Sequence, residues 1–160
     1  MIQGREPKPL RTAEYRALAQ YRYLIRRYLR HIEEACRAAG VNPRQYQVIL
    51  ALKGLPPEQT PTIGTLAERM QLNHNSTVEL VDRCEKLGLL RRRRSGPDRR
   101  RVELSITSQG EAFLRKLAPA ARRELRVVGP ILVESILHLI GDSRTALKVK
   151  RRPPGGDKKA

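Results

Sequence analysis

The stretch Arg91-Arg92-Arg93-Arg94-Ser95-Gly96-Pro97-Asp98-Arg99-Arg100-Arg101 puts seven arginines into eleven residues, interrupted only by turn formers and one carboxylate. Beyond it Val102, Leu104 and Ile106 alternate with Arg101, Glu103 and Ser105, a period of two that predicts a strand with one buried face. Leu89-Leu90 leads in and Ser95-Gly96-Pro97-Asp98 supplies the turn, so the whole reads as a two-stranded hairpin. Such a charge density is tolerable only at a surface that meets a polyanion. The chain carries a formal net charge of +17, which points the same way.

The segments around the hairpin read as helices. From residue 12 to about 39, Tyr15, Leu18, Tyr21, Ile25, Tyr28, Leu29, Ile32 and Cys36 recur at three- and four-residue steps, predicting one long amphipathic helix ended by Gly40. Its apolar stripe is longer than one small domain covers, so a partner chain is expected on it. Asn42-Pro43 starts a second helix to about residue 53, with Tyr46, Ile49, Leu50 and Leu52 on its apolar side. After a proline-rich connector, Thr62 caps a short helix through Met70, Gln71-Leu72 turns tightly, and Asn73 caps another helix to about Leu87. In that helix Thr77, Leu80, Val81, Cys84 and Leu87 form the inner stripe, leaving His74, Asn75, Ser76, Glu79 and Arg83 on other faces. Following the hairpin, Thr107 or Ser108 caps a further helix, Ser108 forming a Ser-x-x-Glu box with Glu111. Pro119 predicts a kink, and Gly129-Pro130 predicts a break before a last helix from residue 131 to about 140.

The expected fold class is therefore mainly α with a small antiparallel β hairpin, in one domain over residues 12–140. Residues 1–11 and 141–160 read as disordered tails, the second of them basic. The apolar runs are too short or too interrupted to span a bilayer, and no signal-type apolar core opens the chain, so a cytoplasmic location without membrane partners is expected.

Helix, tight turn, helix and basic hairpin is the order of a winged helix-turn-helix. A helix fits the major groove of DNA, and polar residues in its first turns can pair with base edges. His74, Asn75, Ser76 and Glu79 are the candidates for that task, with Arg83, one turn on, meeting phosphate. The hairpin tip suits the narrow minor groove, whose negative potential draws guanidinium groups. There Asp98, Arg99, Arg100 and Arg101 are the candidate wing residues, with Asp98 accepting hydrogen bonds so that an arginine is held in a fixed pose. Arg91 to Arg94 and Arg99 read as phosphate and solvent charges.

Residues 61–70, PTIGTLAERM, then 75–90, NSTVELVDRCEKLGLL, then Asp98-Arg99-Arg100-Arg101 and Leu104-Ser-Ile-Thr-Ser-Gln-Gly110 resemble the MarR family of bacterial transcription regulators. The resemblance extends more loosely over residues 12–140. It implies a homodimer, with the winged helix-turn-helix at about 42–106 and dimerisation helices at about 12–39 and 108–140, bound to a palindromic operator in double-stranded DNA. It further implies that Arg100 enters the minor groove and that Asp98 orients the wing. Tyr15, Tyr21, Tyr28 and Tyr46 are candidates to line a small-molecule effector pocket, as in ligand-responsive members of the family, though dimer packing explains most of the tyrosines equally well. Cys84 stands where the family usually has leucine.

Other readings are open to the same residues. The net charge and basic tail alone suffice for a sequence-indifferent RNA- or nucleoid-binding protein. Cys36 could serve a redox-sensing regulator, against which stands its place on an apolar stripe, where a thiol is usually a small core residue. His31, His74 and His138 lack neighbouring ligand partners, and no catalytic grouping stands out, so neither metal, cofactor nor enzymatic activity is expected.

Overall fold

The computed structural model describes residues 9–94 and 102–140. Among them the element order is α1 (Thr12–Ala38), α2 (Pro43–Lys53), α3 (Ile63–Met70), α4 (His74–Lys86), β1 (Leu90–Arg94), β2 (Val102–Ile106) and α5 (Ser108–Ile140). The fold is mainly helical with one antiparallel hairpin, and residues 1–8 of the expected N-terminal tail, the whole expected C-terminal tail and the hairpin tip lie outside the described residues.

Each helix end has a local cause. Gly40 has φ 72°, and Val41 N–H donates back to Cys36 O at 2.9 Å, closing α1 with a left-handed cap that only glycine adopts without strain. Asn42 caps α2 by accepting from Arg44 N–H at 2.9 Å, with Pro43 in the first turn, where its missing N–H costs nothing. Thr62 Oγ1 accepts from Thr65 N–H at 3.2 Å to start α3. Gln71 ends it in the left-handed region at φ 53°, and two residues later Asn73 Oδ1 accepts from Ser76 N–H at 2.8 Å to start α4. Helix, left-handed turn and helix are thus closed by backbone and caps within a few residues.

Residues 28–125 form one compact unit. Its core gathers Ile32 and Cys36 from α1, Tyr46, Val48, Ile49 and Leu52 from α2, Leu66 from α3 and Leu80, Val81 and Cys84 from α4, closed by Leu90, Leu104 and Leu114. The apolar stripes differ from expectation at two places. Leu50 is 44% exposed and Leu87 51% exposed, while Val48 is fully buried, because the helical face turned to the core takes in residue 48 rather than 50. A second unit takes in residues 1–27 and 126–160, and among its described residues Ala17, Leu24, Val128 and Ser135 are buried.

The C-terminal region departs from the sequence expectation. Gly129-Pro130 does not break the chain into two helices: α5 is one helix of 33 residues. Pro119 and Pro130 are both exposed, so each lost N–H is on a side where water can serve the freed carbonyl. Burial of Val128 and Ser135 on either side of Gly129-Pro130 holds the helical register across it. Of the two cap candidates the structure selects one, and the expected box does not form. Thr107 rather than Ser108 is the cap, its Oγ1 accepting from Gly110 N–H at 3.1 Å, and Glu111 turns away to Lys53 Nζ at 2.6 Å instead of closing a box with Ser108. Gly110 sits where α5 meets the entry to β1. A Cβ on it would stand 2.1 Å from Leu89 O and 2.7 Å from Ile106 Cγ2.

Candidate nucleic-acid interface

Two parts of the 28–125 unit carry the candidate residues: the start and outer face of α4, and the hairpin whose first strand packs against that helix. On α4, Thr77, Leu80, Val81 and Cys84 are buried, and this fixes which side faces out. Asn75, Glu79, Arg83 and Lys86 follow one another at helical spacing along the outer side and are all exposed. His74 is exposed in the first turn and Ser76 is half-buried, its backbone N–H already taken by Asn73. Arg83 Nη2 lies 3.6 Å from Glu79 Oε2, an exposed pair one turn apart that holds both side chains along the stripe. Four of the five candidate recognition residues therefore present polar groups outward. Lys86 shares their stripe and was missed by the sequence reading, although three- and four-residue counting from Arg83 and Glu79 reaches it.

In the hairpin Leu90 pairs with Ile106, Arg92 with Leu104 and Arg94 with Val102. Residues directly opposite share a face, so Arg92 lies on the side of buried Leu104, and Arg91 and Arg93 lie on the other. The expectation that Arg91 to Arg94 all face phosphate and solvent is corrected at Arg92. Its guanidinium donates to Asp82 Oδ1 at 2.6 Å and to Glu85 Oε2, while its backbone N–H donates to Glu85 Oε1 at 2.9 Å. Burial disfavours the Arg92 charge, but hydrogen bonds and attraction from Asp82 and Glu85 more than offset this, leaving its pKa above the ordinary value. Arg91 is exposed and donates to Ser105 Oγ at 3.2 Å, and Arg93 and Arg94 are exposed. On the opposite edge of the hairpin, Leu104 N–H donates to Pro61 O at 2.6 Å, tying β2 to the entry of α3. Asp98, Arg99, Arg100 and Arg101 lie outside the described residues.

The candidate effector residues divide between the two units, Tyr28 and Tyr46 in one and Tyr15 and Tyr21 in the other. Tyr46 is 3% exposed in the core, its ring centroid 6.4 Å from that of Phe113, and Tyr28 packs half-buried on the same core. In the other unit Tyr15 is 60% exposed and Tyr21 half-buried. A cavity of about 350 Å³ in that unit is lined by Arg16, Gln20, Ile131, Glu134, Ser135 and His138 among others, and by none of these tyrosines. Both cysteines are fully buried. Burial pushes the Cys84 thiol up to about 11, and burial, then the nearby Glu33 carboxylate, push Cys36 above its ordinary value. Thiols so placed are poor nucleophiles at neutral pH.

Residues 39–101 match the model of the MarR family, spanning α2 to α4 and the first strand of the hairpin. The likeness to the MarR family is carried by that stretch, 63 of the chain's 160 residues. It is 31% identical over 78 residues to the HTH-type transcriptional repressor MdtR of Bacillus subtilis, a match over 49% of this chain and 48% of that one. The chain spans between 48% and 73% of the length of the curated relatives it matches. The solved structure of AbsC, a MarR family transcriptional regulator from Streptomyces coelicolor, superposes with a TM-score of 0.66 at 18% identity, over 89% of this chain and 99% of that one. BpsR of Bordetella bronchiseptica, whose DNA binding is described as regulated by 6-hydroxynicotinic acid, superposes with a TM-score of 0.59 at 17% identity, over 83% and 95% of the two chains. At such identities the shared feature is the MarR fold. Among the described residues no helix is long and apolar enough to cross a membrane.

Proposed function

We propose that this chain is a MarR-family, cytoplasmic, sequence-specific DNA-binding transcription regulator that acts as a homodimer on a palindromic operator, represses, and is released by a small-molecule effector. The observation that carries the reading is the exposed polar stripe of α4, capped by Asn73 immediately after the left-handed turn at Gln71 and flanked by the arginine hairpin. In this reading the winged helix-turn-helix occupies about 42–106, and α1 and α5 supply the dimerisation helices. His74, Asn75, Ser76 and Glu79 read bases, Arg83 meets phosphate, and Arg100, oriented by Asp98 and flanked by Arg99 and Arg101, enters the minor groove. The repressor role draws support from MdtR and effector release from BpsR.

The test is repeated selection of duplexes from a random-sequence pool. The reading expects a palindrome whose half-sites lie about 10 base pairs apart, because two recognition helices related by a two-fold axis enter successive major grooves on one face. The net charge of +17 favours one rival, a sequence-indifferent nucleic-acid binder. Competition separates the two: a regulator holds the selected palindrome at salt that strips it from random DNA and RNA, whereas the rival loses all three together.

A further inference from the structure

We infer that Arg92, in the middle of the arginine run, makes no phosphate contact and is instead a positioning residue that sets the pose of the basic hairpin against α4. The inference rests on the DNA-binding reading above. Asp82 and Glu85 stand three residues apart on α4, which puts both carboxylates on the same side of that helix, beside its outer stripe. Arg92 bridges them by two guanidinium donations while its own backbone N–H holds Glu85 a third way. One cation thus carries two carboxylates, so the corner as a whole has a formal charge of −1 and repels phosphate. To reach a phosphate, Arg92 must leave both. Its register neighbours Arg91 and Arg93 lie on the opposite face of the hairpin, where they are exposed. The run therefore divides by the two-residue period of the strand, with cations outward at 91 and 93 and a strap inward at 92.

The strap and a simple charge count predict opposite signs. By charge alone, Asp82→Asn removes a carboxylate from a DNA-binding face and tightens binding. By the strap, it frees the hairpin from α4 and weakens binding. The full chain is titrated onto the selected duplex across a range of salt. Arg92→Gln is expected to weaken binding by roughly five- to tenfold, the low end of usual site-to-site coupling. The slope of log affinity against log salt should stay parallel to that of the unaltered chain. Asp82→Asn weakens binding in the same sense and adds nothing to Arg92→Gln, and Glu85→Gln has a smaller effect because its amide oxygen still accepts from Arg92 N–H.

A slope lowered by about 0.9 in Arg92→Gln, the signature of one lost phosphate contact, overturns the inference. So does tighter binding by Asp82→Asn. Should Arg92→Gln fail to fold, as judged by its thermal transition, the sign of the effect in Asp82→Asn and Glu85→Gln decides, since both keep the arginine. If the unaltered chain recovers no duplex, the DNA-binding reading falls and this role with it, whereas binding with an altered slope removes only the assignment of Arg92.

Discussion

At Gly110 a hydrogen in place of a methyl group decides whether α5 can start where it does. The backbone of Leu89 and the side chain of Ile106 occupy the space that a Cβ would need, and one of them is a carbonyl that cannot rotate away. Gly110→Ala should therefore lower stability by about 1–3 kcal/mol or more, read as a fall in the urea midpoint at unchanged slope. Gly129→Ala is its contrast. Gly129 lies inside α5 with nothing but its own chain neighbours within 4 Å of an added Cβ, so the same substitution there should change stability by less than about 1 kcal/mol, the gain in helix propensity being offset by the crowding of Pro130 on a Cβ before it. Equal effects at the two sites would contradict the packing described for Gly110.

Cys84 gives a pH-dependent signal on the same scale. Its folded pKa of about 11 lies above the ordinary 9.0, so the folded chain holds the proton more tightly than the unfolded one. The stability tied to this thiol is complete below pH 9 and is lost as pH rises from 9 through 11, by up to about 3 kcal/mol. Denaturant unfolding at pH 8 and pH 11 should show this loss, and Cys84→Ala should remove Cys84's share of it. Both cysteines should resist a thiol reagent at neutral pH until the protein is unfolded, since both are fully buried.

On the scale of elements, the sequence was most legible where a structure is closed within a few residues. Asn42, Thr62 and Asn73 each cap the helix that follows, and Gly40 and Gly88 adopt the left-handed backbone that ends the one before. These devices act over three or four residues, so residue order alone announces them. Asn73→Ala should cost about 0.5–2 kcal/mol and leave the first turn of α4 faster to exchange its amide hydrogens than in the unaltered chain. Unchanged exchange at Ser76 would mean that the cap does not hold that turn.

Elements whose form is decided by distant partners were harder to read. Gly129-Pro130 carries a strong local break signal, yet α5 continues through it because buried residues on both sides keep the helical register. Arg92 looked like its three neighbours because an arginine run carries no mark of which member turns inward. Its partners lie seven and ten residues earlier on another element. The alternation of Leu104 in the facing strand held the clue: the residue opposite a buried position shares its face, and a cation there needs carboxylates. The exposed polar side of α4 was readable nearly whole, since the buried spacing of Thr77, Leu80, Val81 and Cys84 fixes the outer side by subtraction. The tyrosines were not, because an aromatic on an amphipathic helix serves a core, a cavity or a partner equally well. The structure puts Tyr46 into the first of these.

For the whole molecule, the distribution of apolar surface matters most. Tyr15, Leu18 and Tyr23 on α1 and Val127, Ile131, Val133, Ile136, Leu137 and Ile140 on α5 are all exposed, far more than isolated surface residues require. A homodimer burying them is expected to survive dilution to micromolar concentration. Val133→Glu with Leu137→Glu, two positions one turn apart, should shift the chain to monomer in sedimentation while leaving α4 and the hairpin folded. A double variant that still sediments as a dimer would place the interface elsewhere. Loss of the dimer should also abolish preference for a palindrome over a single half-site, because paired half-sites are read by paired helices.

The hairpin has one further consequence. A two-stranded sheet usually leaves both margins open to strangers, since each outer strand presents unpaired amide groups on which another chain can zip. Here the middle of one margin is taken by Glu85 and the middle of the other by the carbonyl of Pro61. Both outer strands are thereby kept from zipping onto the sheet of a neighbouring chain.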